Sequence, residues 1–293
     1  MTESAEAAVG IVGGTGLYAM EGLSNVREAT VSTPFGAPSS PLVLGTLAGR
    51  RIVFLARHGK GHDLLPTDIP YRANVYALRS LGVRQVIAVS AVGSLREELP
   101  PRSVVVLDQL IDRTRRRPLT FFGDGAVAHV AFGDPFCEKT RAALLEGARA
   151  AAVPAAPRGT YLNMEGPQFS TRAESVLYRS WGCDVIGMTN GTEARLAREA
   201  EMCYATLAFV TDYDAWRPHA ASVETSDILA IIRETAGAAL RIVKAAVASL
   251  PAGDCPCRHA LASAFVTPPA RMSAAARERL AAILAPYLAP TST

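Results

Sequence analysis

The sequence predicts a three-layer α/β fold built on a mainly parallel sheet. Three observations carry this. Short apolar, β-branched runs of strand length recur along the chain, and stretches of helical periodicity separate them. The third is bulk, since 293 residues at 49% hydrophobic content can bury a large core. No long Ser/Gly/Pro-rich or charged linker, internal repeat or low-complexity tract divides the chain. One domain is therefore expected over 9–288, with an irregular, disordered start at 1–8 and a frayed tail at 289–293.

In order, Val9–Val12 reads as a strand running into Gly13-Gly14-Thr15-Gly16, whose backbone amides and Thr15 hydroxyl can approach an anion. The same letters fit a dinucleotide fingerprint, Gly14-x-Gly16-x-x-Ala19. That reading needs an acid for the ribose about 20 residues further on, yet from Ala29 to His62 there is no Asp or Glu. Arg51–Ala56 is the next strand and delivers Arg57-His58-Gly59, an arginine fork beside a second donor and a good phosphate clamp. Tyr71, Val75 and Leu78 mark a helix face closed by Gly82. Val83–Val89 is then a strand ending in a small-residue loop, Ser90-Ala91-Val92-Gly93-Ser94, so three strand ends converge on one anion. Ser103–Ile111 continues the alternation, and Asp134-Pro135 is expected to open a helix reaching Ala152.

Most of the chemistry lies between Asn163 and Trp216. Met164-Glu165-Gly166-Pro167-Gln168-Phe169-Ser170 joins glycine, proline, an aromatic ring and acceptor side chains in one loop, which suits a nucleoside. Thr171 and Glu174 form a capping box for a helix that Gly182 ends. The strand Asp184–Met188 delivers Met188 and Thr189 to the same edge. The apolar run Cys203–Thr211 stops at Asp212-Tyr213-Asp214, and strand alternation puts the two aspartates on one side. Carboxylates at the C-terminal end of a buried strand sit where open α/β sheets hold ligands. An acidic loop is the plain alternative, but the neighbouring motifs favour a purine nucleoside pocket. A long amphipathic helix from Ser226 to Leu250, carrying Ile228 and Leu229, and a further helix over Ala274–Leu288 complete the chain.

A net charge of +3 is too small to argue for nucleic acid, though it tolerates an anionic substrate. The run Arg113, Arg115, Arg116, Arg117 has no interleaved aromatics and reads as a solvated or subunit-facing loop. The N-terminus lacks a cationic region with a long apolar core, and no apolar stretch reaches bilayer length, so no membrane segment and a cytoplasmic location are expected. Five cysteines make no disulfide scaffold in a chain of this size, and most are isolated in apolar segments, as buried thiols are. Cys255-Pro256-Cys257 differs. One intervening residue is short for a zinc knuckle and no second pair is visible, so no metal site is expected; a strained disulfide or two plain thiols remain open.

Together, Val12-Gly13-Gly14-Thr15-Gly16, Leu55-Ala56-Arg57-His58-Gly59, Gly93-Ser94-Leu95-Arg96-Glu97-Glu98, Glu165-Gly166-Pro167-Gln168-Phe169-Ser170 and Thr211-Asp212-Tyr213-Asp214-Ala215-Trp216 resemble the S-methyl-5′-thioadenosine phosphorylases, of the trimeric purine nucleoside phosphorylase class. The likeness runs from Val9 to about Leu250 in the right order. It implies one α/β domain around a mixed, barrel-like sheet flanked by helices, and a homotrimer with sites at subunit interfaces. It implies no metal and no cofactor, with inorganic phosphate as co-substrate. By motif, Thr15, Arg57, His58, Ser90, Ala91 and Thr189 would hold phosphate; Phe169, Ser170, Asp212 and Asp214 the adenine; and Met188 the ribose. His129 matches a family histidine that reaches the 5′ substituent in a neighbouring subunit, and Thr225 and Ile228 fall at the 5′ pocket.

The implied reaction, a step of methionine and purine salvage, is phosphorolysis: phosphate attacks C1′ as adenine leaves, through an oxocarbenium-like transition state, giving 5-methylthioribose 1-phosphate. Asp212, protonated or sharing a proton with N7, would be the general acid, and Asp214 would accept from the exocyclic amine. Three positions depart from the pattern. Pro70 replaces an Asn before Tyr71-Arg72-Ala73-Asn74, Asn190-Gly191-Thr192-Glu193 replaces a Thr-Val-Pro-Glu turn, and Thr225 replaces a branched aliphatic residue against the methylthio group. Another 5′-deoxyadenosine, 5′-deoxy or 5′-halo, or a 6-oxopurine nucleoside is the alternative substrate. A hydrolase or a non-catalytic nucleoside-binding protein would lack the convergence of Thr15, Arg57 and His58.

Overall fold

The computed structural model describes residues 8–14, 21–217 and 224–288. Thr15, and the expected irregular ends apart from Ala8, lie outside these residues. Ala8 already belongs to β1 (Ala8–Gly13). The antiparallel pair β2 (Ser24–Ala29) and β3 (Leu42–Leu47) follows, then β4 (Arg50–Ala56), α1 (Tyr71–Ser80), β5 (Val83–Ser94), β6 (Val104–Val106) and β7 (Gln109–Asp112). Next come α2 (Glu138–Ala150), β8 (Ala155–Ala156), β9 (Thr160–Asn163), α3 (Arg172–Ser180), β10 (Val185–Gly187) and α4 (Asn190–Glu199). The chain ends with β11 (Cys203–Asp212), α5 (Thr225–Ser249), α6 (Ala274–Arg279) and α7 (Ala281–Leu288).

The strands form one mixed sheet in the order β2-β3-β4-β1-β5-β10-β9-β7, and it forks at β5, where β11 also pairs and carries β6 and β8. Strands β4, β1, β5 and β11 run parallel, while β10 runs antiparallel to the end of β5. Apolar side chains cover both sheet faces, as a central parallel sheet requires. On one side Val53, Leu55 and Val86 pack with Leu78 of α1, Leu196 of α4 and Leu284 of α7. On the other, Val9, Ile11 and Ile87 pack with Leu144 of α2 and Ile242 and Val247 of α5.

Several local expectations are corrected. Ser90–Ser94 is not a loop but the second half of β5. Its small side chains let the strand run on beneath two neighbours: Gly93 pairs with Ile186 of β10 and Asp212 of β11. A Cβ on Gly93 would lie 3.0 Å from Asp212 Oδ1 and 3.1 Å from Ile186 Cγ2, so only glycine fits without displacement. Helix α2 starts at Glu138 rather than Asp134, because the Cys137 amide donates to Tyr204 O at 2.7 Å and holds that residue extended. The expected C-terminal helix breaks at Leu280 into α6 and α7, with the Ser273 hydroxyl capping α6. Asn190-Gly191-Thr192-Glu193 is no turn but the first turn of α4. The capping box on α3 is present as read, with Gly182 at φ +80° behind it. Pro70 sits at the N-cap of α1 and offers no side-chain cap. No described helix is long and apolar enough to cross a membrane.

Candidate active site

A cavity of about 580 Å³ opens at the C-terminal ends of β4, β11 and the parallel half of β5. Its wall includes Gly14, Arg57, His58, Ser90, Ala91 and Thr189 at one end and Phe169, Met188, Asp212 and Asp214 at the other. Thr225, Ile228 and Leu229, from the first turns of α5, form its roof. The structure therefore gathers most residues read from the sequence into one place. Ser170 stands behind the wall, buried, with its hydroxyl 3.8 Å from Met164 Sδ. His129 is exposed outside the cavity of its own chain, on a loop tied by its amide to Ala264 O at 2.9 Å.

At the basic end, Arg57 is buried and its fork is held from behind. Nε and Nη2 donate to the two carboxylate oxygens of Glu193, Nη2 at 3.0 Å, and Nη1 donates to Val89 O at 3.1 Å. Three of its five N–H groups are thus used and two remain for an anion. Burial alone would discharge this guanidinium, but Glu193 outweighs it and holds the charge firmly in place. Glu193 also accepts from Tyr204 Oη at 2.7 Å. Removing one member of such a buried pair typically costs about 3–5 kcal/mol, so the clamp is positioned by a residue that itself needs it. Thr189 is the N-cap of α4 and carries no capping side-chain bond, but the Thr189 and Gly191 amides donate to Tyr161 Oη at 3.1 Å and Asn163 Oδ1 at 3.0 Å, so the first turn is already held from within the protein.

His58 corrects the sequence reading. Its Nδ1 lies 2.9 Å from Leu64 O, which makes Nδ1 the protonated nitrogen and Nε2 an acceptor. Burial, with help from Arg57, lowers its pKa to about 4, so the ring is neutral rather than a second cationic donor. His62 stacks on it with ring centroids 4.3 Å apart. The Ser90 hydroxyl donates to Asn190 Oδ1 at 2.9 Å, and Asn190 Nδ2 is buried with no partner.

At the acidic end, both carboxyls are buried and pushed up by that burial. Asp212 Oδ2 accepts from Thr211 Oγ1 and Oδ1 from the Asp214 amide, both at 2.7 Å. Asp214 lies past the strand end at φ +48°, so the turn rather than strand alternation sets its direction. The Ser175 and Ser170 hydroxyls and the Ala215 amide stand against this carboxyl and oppose the burial that pushes it up, though no hydrogen bond to Oδ2 itself closes. A carboxylate held this way keeps acceptor capacity for a ligand N–H.

The loop between β9 and α3 is fixed by residues the sequence reading placed elsewhere. Arg117 has no exposed side-chain surface, against the solvated loop expected for the arginine run. It donates to Glu165 Oε1 at 3.0 Å, Glu165 O at 2.6 Å, Tyr71 Oη at 3.1 Å and to Met188 O. The Arg115 amide and the Thr67 hydroxyl bind the same Glu165 carboxylate at 2.6 and 3.0 Å. Burial opposes the charge on Glu165, but these donors and the Arg117 cation prevail and hold it below the usual carboxylate range. Beside it, Gly166 has φ +71°, and a Cβ there would meet Met188 Sδ at 2.6 Å. Glu165, read from the sequence as an acceptor for a nucleoside, is instead taken up by Thr67, Arg115 and Arg117. The supporting roles of Glu193, Asn190 and Arg117 are not legible in the sequence, because the elements that bring them here are remote along the chain.

Comparison with known proteins agrees. The sequence matches the phosphorylase superfamily over residues 8–248. It is 53% identical over 283 residues to the S-methyl-5′-thioadenosine phosphorylase of Koribacter versatilis, covering 96% of this chain and 97% of that one. Among solved structures, a methylthioadenosine phosphorylase from an Antarctic soil metagenomic library superposes with a TM-score of 0.91 at 47% identity, over 96% of this chain and all of the other. A mutant adenosine/methylthioadenosine phosphorylase of Schistosoma mansoni in complex with adenine gives 0.84 at 34% identity, over 89% of this chain and 99% of that one. With the forked sheet and the two-ended cavity in place, the chain belongs to the phosphorylase superfamily and, within it, to the S-methyl-5′-thioadenosine phosphorylase family.

Proposed function

We propose that the cavity binds S-methyl-5′-thioadenosine with inorganic phosphate and catalyses phosphorolysis to adenine and 5-methylthioribose 1-phosphate. One observation carries the reading: a charged arginine clamp and a pair of neutral-leaning carboxyls share one cavity. Ser90 and Gly93 mark its two ends, and three residues of strand separate them by about 10 Å. That spacing suits a phosphate and a purine on opposite sides of one ribose. Arg57, the Thr189 hydroxyl and the Asn190 side-chain amide would bind the anion, and neutral His58 would accept from the phosphate hydroxyl through Nε2. Thr15, at the glycine turn, is retained as a phosphate ligand.

In the reaction the C1′–N9 bond breaks as a phosphate oxygen bonds to C1′, and the purine leaves taking a proton at N7. Asp212, whose carboxyl burial pushes up, is the general acid, a role worth typically 10²–10⁴-fold. Asp214 Oδ2 accepts from the exocyclic amine, Phe169 stacks on the base and Met188 packs on the ribose. No metal or cofactor takes part. We also propose a homotrimer, for which the exposure of His129 outside its own cavity and of Val176, Leu177 and Trp181 along α3 speaks, and a cytoplasmic location. Adenine release from methylthioadenosine, measured with and without phosphate, tests the whole reading. Strict phosphate dependence is expected; release into water alone would make it a hydrolase, and no release a binding protein.

A second reading concerns the 5′ group. Thr225 stands on the roof beside Ile228, where a hydroxyl replaces the methyl of a branched aliphatic residue. A methyl group discriminates by only about 1–3 kcal/mol, so 5′-deoxyadenosine, a 5′-halo analogue or adenosine should be used within roughly ten- to hundredfold of methylthioadenosine. The name of the Schistosoma mansoni relative supports that breadth. Ratios of kcat/KM that stay the same in Thr225→Val would remove Thr225 from specificity.

A further inference from the structure

Four of the five cysteines meet at the opposite end of the molecule from the cavity. Cys137 is the N-cap of α2, Cys203 opens β11, and Cys255 and Cys257 flank Pro256 at the start of a short 3-10 turn, Pro256–His259. Their sulfur atoms all lie within 4.8 Å of one another, and all four side chains are buried. Cys203 and Asp212 are the two ends of β11, which places the cluster about 30 Å from the catalytic aspartates. The sequence shows only Cys255-x-Cys257; the second pair comes from two residues far apart in the chain and joined by the fold.

We propose that Cys137, Cys203, Cys255 and Cys257 form a tetrathiolate site for a soft divalent metal of the zinc class, a structural staple between the C-terminal segment and the base of the sheet. Zinc–sulfur bonds of about 2.3 Å in a tetrahedron put the sulfur atoms about 3.8 Å apart. Cys137 Sγ and Cys255 Sγ are 3.7 Å apart. Four sulfurs and no nitrogen or oxygen ligand select zinc or iron over the hard cations. Buried cysteines also pack as plain small hydrophobes, but such packing does not call for four thiols from three separate segments at ligand spacing.

The surroundings favour negative sulfur. Cys137 stands at the N-terminus of a 13-residue helix, whose dipole supports a thiolate. Thr140 Oγ1, in the first turn of α2, is buried with no hydrogen-bond partner. On metal binding each ligating thiol releases its proton to solvent as its sulfur bonds the cation. No oxidant is required. Cys257, 8% exposed, is where an ion would enter.

The test uses full-length protein purified under reducing conditions from zinc-supplemented medium. Elemental analysis should find one zinc per chain, and replacement by Co(II) should give the strong sulfur-to-cobalt charge-transfer and visible d–d bands of a tetrahedral thiolate site. Cys257→Ser should lose the stoichiometric metal. Chelation should lower Tm while the folded enzyme keeps its kcat/KM. Zinc well below one per chain together with a silent cobalt titration overturns the proposal. So does a mass short of two hydrogens per bridge, which would mean disulfides. If Cys257→Ser fails to fold, the metal content and cobalt spectrum of the wild type decide.

Discussion

At the residue scale, function rests on how the fold sets protonation. Asp214 holds a buried carboxyl against the Ser170 and Ser175 hydroxyls, and its remaining acceptor capacity would take the amine of adenine and repel the O6 of hypoxanthine. Sites built on such pairing reject the wrong partner by up to about 10⁴-fold. Asp214→Asn should narrow the gap between methylthioadenosine and inosine in kcat/KM; a wild type that cleaves both equally well sinks the assignment. His58 gives a stability signature. Burial lowers its folded pKa from 6.5 to about 4, so below pH 6.5 the unfolded chain takes up a proton that the folded chain refuses. Stability from this residue is complete above about pH 6.5 and drains away as pH falls toward 4, by at most about 3 kcal/mol. Urea midpoints from pH 7 to 4.5 should fall less steeply in His58→Gln, and parallel slopes would contradict the neutral assignment.

At the element scale, β5 is the axis. Its first half is an ordinary buried parallel strand, and its small second half passes between β10 and β11 while lining the cavity. The tight point is Gly93 against Asp212. Gly93→Ala should push Asp212 aside, costing about 1–3 kcal/mol of stability as overpacking does. It should also lower kcat by up to about 10²-fold, the penalty of a misplacement near 1 Å. A structure of the variant with Asp212 unmoved and activity intact would refute that coupling. Helix α4 works alongside, since it carries Glu193 behind Arg57.

At the scale of the whole molecule, the cavity is built within one chain, yet one expected ligand of the 5′ group is outside it. His129 is exposed on its loop and reaches a nucleoside only if a second copy docks beside it. Sedimentation should find a trimer, and His129→Ala should raise KM for the nucleoside more than for phosphate. A fully active monomer would end this assembly.

Much was legible in the sequence because it is local chemistry. Strand ends rich in glycine, the Thr171–Glu174 capping box and the end of the apolar run at Asp212 each depend on a few adjacent residues, so their position could be read before any fold was known. Charge state and support could not. Whether Ser90–Ser94 is loop or strand depends on β10 and β11, which pair with it from about a hundred residues away. The partners of Arg57, the burial of Arg117 and the neutrality of His58 follow from the same long-range packing. The sequence by itself determined the family the chain belongs to and most of the residues that line the cavity, since motifs keep their order along the chain. Only the tertiary structure decided which of them are charged, which are held from behind and which four sulfurs meet, because desolvation and convergence arise when remote segments exclude water together.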